Sequence, residues 1–274
     1  MIGGNNTDTF NIGAATVMVG PMEKVLELTP EEHSLGLIKN FNLTSETTEV
    51  ALTQGVRNTE VDSQITGVNS TMSMEVYEYT AANLAYAAQL DGSKFVTSGT
   101  YVLNADITGG ESASSITITT TEDVTAKLTK GTTLQIQAST TEEFDKVYIA
   151  RVESATSGEG TTTITLVDSI PLGWNFKAGD KVFAVDIVPI ASEAPQPYVG
   201  VKIVGVLPNG NKPVTIIVPK AKITGGMTLG FSSENYGNLP YEIKAYALAK
   251  ADSMYAHFKQ WTSMGNIYVL TGNN

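Results

Sequence analysis

The sequence predicts a mainly β protein with one flanking α-helix, in which an inserted small β-barrel or sandwich domain interrupts a discontinuous β domain. Three observations predict this class. Helical periodicity of apolar residues is convincing in only one segment, residues 75–92. Most other apolar runs are short and alternate with polar residues, as strands do. The composition becomes rich in Thr from about residue 95 to about residue 195. We therefore predict a domain of residues 1–95 and 196–274 around an insert of residues 96–195.

The predicted helix has a start signal, an apolar face and a stop signal. Thr80 can accept hydrogen bonds from first-turn amides as the N-cap, and Gly92 follows where a left-handed C-terminal cap is expected. Four apolar residues recur at the i, i+3, i+4 and i+7 spacing of one helix face: Ala81, Leu84, Ala85 and Ala88. Because three of these residues are alanines, we expect this face to pack closely on a sheet.

Short strands separated by turn signals account for most of the remaining chain. In the outer segments, strand patterns cover residues 12–19, 35–43, 47–56, 71–77, 199–207, 214–223 and 241–250. In the insert, they cover residues 116–120, 133–137, 146–152, 162–167 and 182–187. Residues 55–67 are polar and almost without large apolar side chains, which predicts a loop. Residues 191–197 contain two prolines among small residues, which predicts a linker.

The charge of the chain limits which partners it can bind. With 17 basic and 28 acidic residues, the formal net charge is -11, so the chain lacks the basic surface that binds phosphates tightly. We therefore expect no tightly held DNA or RNA. An acidic wall facing nucleic acid is a different case, because repulsion would keep the nucleic acid from adhering.

Export and membrane signals are missing from the sequence. The N-terminal residues lack a basic region followed by an apolar core, and no apolar run approaches the ~20 residues that span a bilayer. The chain has no cysteine, so it forms no disulfide. We expect synthesis in a cytoplasm and no membrane insertion.

Catalytic, cofactor-binding and metal-binding patterns are also missing. The histidines are His33 and His257, and no Gly-x-Ser-x-Gly elbow accompanies them. Residues 224–227 contain two glycines but no phosphate-binding lysine, and the acids in residues 142–145 lack EF-hand spacing. The sequence therefore predicts a protein that is not an enzyme and has no cofactor.

Four segments carry a resemblance to a known family. They are GAATVMVGP (residues 13–21), EVALTQG (residues 49–55), EVYEYTAANLAYAAQLDG (residues 75–92) and NLPYEIKAYALAKAD (residues 238–252). By these segments and their order, the chain resembles the tail tube proteins (major tail proteins) of tailed bacteriophages. The resemblance covers about residues 12–92 and 199–252, and the insert matches only loosely.

The resemblance implies a virion structural protein of the phage tail, made in the host bacterial cytoplasm. In that family, two sheets pack beside one helix, subunits join edge to edge as hexameric rings, and stacked rings form a tube. DNA would pass through this acidic conduit during genome ejection without tight binding. Tape-measure, terminator and baseplate proteins would be the other partners. The insert would project outward and leave little room for a sheath, which favours a non-contractile tail.

The resemblance also implies roles for particular residues. The N-terminal arm and the loop of residues 55–67 would connect rings. Candidate ring-stacking residues are Ile12, Val17, Val19, Arg57, Asn58, Thr59 and Gln64. Candidate lumen-facing acids are Glu46, Glu49, Glu60 and Asp62, of which strand alternation would send about half inward. The strand pattern around residues 199–206 lacks edge protection, so we also expect it to pair with a neighbouring subunit.

A second hypothesis belongs to another class of protein. The chain could be a non-enzymatic β-rich binding or adhesin-like module that holds a ligand on its Thr-rich insert. The missing export signal counts against it, whereas a monomer that binds glycans would favour it. An enzyme with an unfamiliar site is a more distant alternative.

Overall fold

A computed structural model describes residues 15–54, 59–138, 146–193, 195–206, 213–225, 227–230, 237–261 and 264–271. Strands account for 48% of the chain and helices for 10%, which confirms the mainly β class. The chain divides into two compact units. Unit 1 comprises Met1–Lys94 and Pro189–Asn274, and unit 2 comprises Phe95–Val188. Residues 189–195, which the composition places in the insert, therefore cluster with unit 1.

The strands and helices have the following bounds. The strands are β1 (Ala15–Pro21), β2 (Ile38–Gln54), β3 (Thr59–Val76), β4 (Gly99–Leu103), β5 (Ile107–Thr108), β6 (Ser115–Thr119), β7 (Thr133–Gln137), β8 (Val147–Ser157), β9 (Thr161–Leu166), β10 (Asn175–Phe176), β11 (Lys181–Val185), β12 (Val199–Val206), β13 (Pro213–Ile223), β14 (Leu239–Ala245) and β15 (Tyr268–Leu270). The α-helices are α1 (Pro30–His33), α2 (Ala81–Ala87) and α3 (Tyr255–Lys259).

Unit 1 is built on a seven-stranded antiparallel sheet in the order β1-β12-β13-β14-β3-β2, with β15 paired to β13. The described residues of this unit form this one sheet, whereas the resemblance implies two. Strand β12 lies between β1 and β13 along its length. The predicted edge pairing of residues 199–206 with a neighbour is therefore wrong, because both edges of this strand are already hydrogen-bonded within the chain.

Apolar residues cover both faces of this sheet, and β1 shows how. Successive side chains of a strand point to opposite faces. Val17 and Val19 are buried in a core that includes Tyr86 of α2. Met18, between them, is buried in a second core with Phe258 of α3. The sheet is therefore covered by α2 on one face and by the C-terminal segment on part of the other.

Helix α2 begins as the sequence predicts and ends differently. The Thr80 side chain accepts a hydrogen bond from the Asn83 amide at 3.1 Å, which confirms the N-cap. The left-handed residue after the helix is Gln89, with φ 65°, rather than Gly92. Gly92 is needed for a different reason. A Cβ there would lie 2.6 Å from the Ala82 carbonyl oxygen and from the Tyr86 ring.

The buried face of α2 is rotated relative to the prediction. Ala85 is fully buried and Leu84 packs partly on the core, but Ala81 and Ala88 are only half-buried. The additional buried residues are Asn83, Tyr86 and Ala87. Asn83 and Tyr86 carry polar groups, so a pattern of apolar residues could not identify these two positions as buried.

Asn83 is buried with its polar groups hydrogen-bonded. Its side-chain amide donates to the carbonyls of Leu35 at 3.1 Å and Glu78 at 2.9 Å. Its own carbonyl accepts from the Tyr241 hydroxyl at 2.6 Å. Burial raises the pKa of Tyr241, so the hydroxyl keeps the proton that it donates. This network ties α2 to β14.

Unit 2 is a closed six-stranded barrel in the order β11-β4-β6-β9-β8-β7, and β5 and β10 form a separate two-stranded sheet. The insert is therefore a barrel rather than a sandwich. Alternation along its strands fills the interior, as Val152, Ile164 and Val182 are fully buried. The alternating pattern predicts five of the six barrel strands and misses β4.

Candidate assembly surface

The most exposed part of the sheet is a two-stranded ribbon, which comprises residues 45–54 of β2 and residues 59–70 of β3. Strand β14 pairs with β3 only between Thr71 and Val76. Beyond that point, β2 and β3 pair only with each other among the described residues. The prediction of a loop at residues 55–67 is therefore wrong from Thr59 onward. Residues 55–58 lie outside the described residues.

Large apolar side chains are exposed on both faces of the ribbon. Val50 and Leu52 share one face, and Ile65 lies on the other face, opposite Glu49. Five side chains are each between 52% and 64% exposed: Val50, Leu52, Val61, Ile65 and Val68. A two-stranded ribbon has no core of its own and is marginally stable alone in water. The ribbon therefore offers apolar area that a second surface can bury.

The four predicted lumen acids all lie on the ribbon, and all are exposed. Residues directly opposite each other in an antiparallel pair share a face. Asp62 lies opposite Leu52, on the face that also carries Glu46. Glu60 lies opposite Thr53, on the face that carries Glu49. The register thus divides the four acids equally between the two faces. The described part of the ribbon contains no lysine or arginine.

The backbone of the ribbon is also unpaired at its edges. Strand β2 is the last strand of the sheet, and within the described residues no strand pairs with its outer edge. Natural edge strands are usually protected by lysine, proline or a bulge. Along residues 45–54 there is neither lysine nor proline, and the extra residues at the two register shifts of the ribbon belong to β3. The outer edge of β2 is therefore open to pairing with another strand.

The predicted ring-stacking residues fall into three groups. Ile12, Arg57 and Asn58 lie outside the described residues. Thr59 begins β3, and Gln64 is exposed on the ribbon. Val17 and Val19 are buried at 0% and 2% exposure. Their side chains pack the core of the same subunit, so we leave both out of the stacking surface.

A cluster of lysines lies on one face of the same sheet. Lys222 of β13 is directly opposite Lys244 of β14. Lys220 lies two residues before Lys222, so it shares that face. The Nζ atoms of Lys220 and Lys222 are 4.3 and 4.5 Å from the centroid of the Tyr198 ring, so both ammonium groups contact the same aromatic ring. We call Lys222 and Lys244 the lysine pair.

Lys220 differs from the lysine pair because it has a carboxylate partner. Its Nζ atom lies 2.8 Å from Oδ2 of Asp252, and the two side chains are only 11% and 15% exposed. The hydrogen bond from Lys220 is the main cause that holds the pKa of Asp252 below its ordinary value. Asp252 therefore joins the C-terminal segment to β13.

Replacement of Asp252 by Asn should destabilise unit 1 by about 1.5–3 kcal/mol at neutral pH, because Lys220 loses a charged partner. A carboxyl with a lowered folded pKa stabilises the fold above its unfolded pKa of about 3.9 and loses that contribution as the pH falls through the folded value. The difference between wild type and D252N should therefore shrink on acidification. Urea unfolding at pH 7 and pH 3 measures it.

The matched control is D91N, because the Lys94–Asp91 pair is 3.5 Å long with a lysine that is 78% exposed, and it should contribute less than about 1 kcal/mol. A loss in D252N that is as large at pH 3 as at pH 7 would contradict the ion-pair explanation.

Two acids near the start of α2 have structural partners. Glu75 accepts a hydrogen bond from the Tyr77 hydroxyl at 2.8 Å, and side-chain hydrogen bonds, first from Asn40 and then from Tyr77, lower the pKa of Glu75. Glu78 accepts from the Leu37 amide at 3.1 Å. In the part of the chain that the structure describes, no group of three acidic or histidine side chains is placed to hold a metal ion.

The chain matches no protein-family model, and no curated protein is similar to it. The site therefore has to be interpreted from its own geometry. Within the described ranges, no helix is both long and apolar enough to cross a membrane.

Proposed function

We propose that this chain is a virion structural protein that polymerises through its ribbon into stacked hexameric rings, the tail tube of a bacteriophage. One observation carries the proposal. The ribbon has an open strand edge and exposed apolar side chains on both faces. Such a surface favours strand pairing with another polypeptide. The partner we propose is a second copy of the same chain, because a virion contains many copies of its structural proteins.

We infer that self-association through this ribbon is head to tail, so that the ribbon of one copy binds a different surface of the next copy. Contacts of this kind close into rings when the rotation between subunits allows it, and they continue as filaments when it does not. A tube of stacked rings contains both kinds of arrangement, because it is closed around its axis and continues along it. The tail-tube classification, the count of six subunits and edge-to-edge joining come from the resemblance.

The charge is consistent with a conduit for DNA. A net charge of -11 in each copy gives an assembled ring a strongly negative field. Because the register places acids on both ribbon faces, a lumen lined by either face would carry two of them per subunit. Repulsion would then keep DNA from adhering during ejection. Tape-measure, terminator and baseplate proteins remain the partners that this function implies.

The direct test is sedimentation velocity with negative-stain electron microscopy on the purified full-length chain. We expect rings or tubes with an open lumen, and assembly that increases with protein concentration. A chain that stays monomeric at the highest attainable concentration would contradict the proposal. Glycan binding by that monomer would support the binding-module hypothesis instead.

The absence of cysteine allows a second test. A single cysteine in place of the exposed Gln64 should become protected from a thiol-reactive label in the assembled state, because the ribbon lies at the interface. A cysteine in place of the exposed Leu172 of the barrel is the matched control and should react equally in both states.

A further inference from the structure

We propose that the lysine pair, Lys222 and Lys244, binds the carboxylates of the ribbon of a second copy. This inference rests on the proposed self-assembly and names the surface that receives the ribbon. It concerns the charged face of the sheet, which the resemblance does not assign.

Among the described residues, the lysine pair forms no ion pair, although Glu242 lies two residues before Lys244 on the same face of β14. Like charges directly opposite each other on neighbouring strands destabilise a sheet. Among the described residues, Lys220 has Asp252 as its partner, but no carboxylate lies within ion-pair distance of Lys222 or Lys244. Both side chains are half-buried, so water screens them less than it screens fully exposed lysines. An external anion would therefore be stabilised at this position.

The ribbon of the same chain cannot supply that anion easily. Lys244 lies opposite Thr71 of β3, and Thr71 lies opposite Thr44 of β2. Strand β2 is therefore two strands away from Lys244, about 10 Å at ordinary strand spacing. Glu46 is two residues further along β2, on the same face. Its carboxylate and the lysine pair face the same side but remain apart.

The ribbon and the lysine pair are complementary in charge. The described part of the ribbon has four carboxylates and no basic residue, and none of these acids forms an ion pair with another described residue. Elsewhere in the described chain, many lysines are already engaged. Lys94 pairs with Asp91, Lys130 pairs with Glu153, and Lys202 donates to the carbonyls of Leu26 and Leu28. Among the described residues, a second copy thus brings acids that form no ion pair to lysines that form none, since the contact of Lys222 is with the uncharged Tyr198 ring.

The test is a charge reversal with rescue in the full-length chain. K222E/K244E should raise the protein concentration needed for assembly by at least about tenfold, because like charges then face each other. Reversing the acids in the same chain should restore assembly, through E46K/D62K on one ribbon face or E49K/E60K on the other. The control K24E/K250E changes the net charge equally at two exposed lysines and should assemble as wild type does.

Each outcome has a distinct meaning. If the wild-type chain does not assemble, the proposed function fails. If the wild-type chain assembles and K222E/K244E behaves like K24E/K250E, the lysine pair is not the receiving surface. Loss of assembly that neither acid reversal restores would also overturn the proposal that the lysine pair binds the ribbon acids.

A crosslinking experiment covers the case in which the reversed variants fold poorly. One chain carries T71C, beside Lys244, and a second carries Q64C on the ribbon. After mixing of equal amounts, a disulfide between the two different chains is expected in excess of both homodimers combined, because random pairing makes the heterodimer only equal to that sum. A product distribution that matches random pairing under all salt conditions would contradict specific docking.

Discussion

Replacement of Val50 and Leu52 by aspartate should abolish assembly at concentrations where the wild-type chain assembles fully. These side chains are 60% and 64% exposed in the subunit, so the change leaves its folding nearly intact. Burial of a Val or Leu side chain contributes about 1.5–3 kcal/mol when complete. For the part that is exposed here, two residues account for about 2–3.5 kcal/mol, which is a loss of roughly 30- to 400-fold in association.

The control is L172D in the barrel, where the leucine is 85% exposed and assembly should not change. The measurement is sedimentation velocity across a dilution series, with circular dichroism as the check on folding. Wild-type assembly by V50D/L52D would exclude this face of the ribbon from the interface.

Replacement of Phe258 by alanine should give the largest loss of stability among single changes in α3. The side chain is fully buried, and its ring lies 4.7 Å from that of Trp261 and 4.8 Å from that of Tyr268. Truncation of such a ring removes transfer free energy and leaves a cavity, at a cost of about 3–5 kcal/mol. The C-terminal segment would then detach from the sheet at lower urea concentration.

Trp261 reports this change directly, because it contacts Phe258. The other tryptophan, Trp174, belongs to unit 2, so a W174F background leaves fluorescence from unit 1 alone. K259A on the same helix is the control, because Lys259 is exposed and should cost less than about 0.5 kcal/mol. A loss below about 1 kcal/mol in F258A would mean that this cluster contributes little to the sheet.

Local signals account for what the sequence predicts correctly. Thr80 caps α2 because its side chain reaches an amide three residues away, and that contact can be seen in the sequence. The barrel strands alternate because one side of each strand faces a closed interior. In both cases, the physical cause lies within a few residues.

The ribbon and the lysine pair depend on longer-range causes. Both faces of the ribbon are exposed, so no burial imposes alternation, and residues 59–67 resemble a polar loop in composition. Lys222 and Lys244 meet through the register of β13 with β14, which pairs residues far apart in the sequence. The position of β12 inside the sheet likewise depends on its pairing with β1, which lies on the other side of the insert in the sequence.

The closed barrel has a consequence for how this chain can change over evolution. Its six strands form a ring, so none of them presents a free edge. The barrel therefore adds a folded body without adding a free barrel edge that could polymerise, and the separate β5–β10 sheet has only two residues in each strand. We expect that another closed domain could replace Phe95–Val188 with little effect on self-assembly. The insertion point would then be a position where the inserted domain can be exchanged while unit 1 keeps its own sequence.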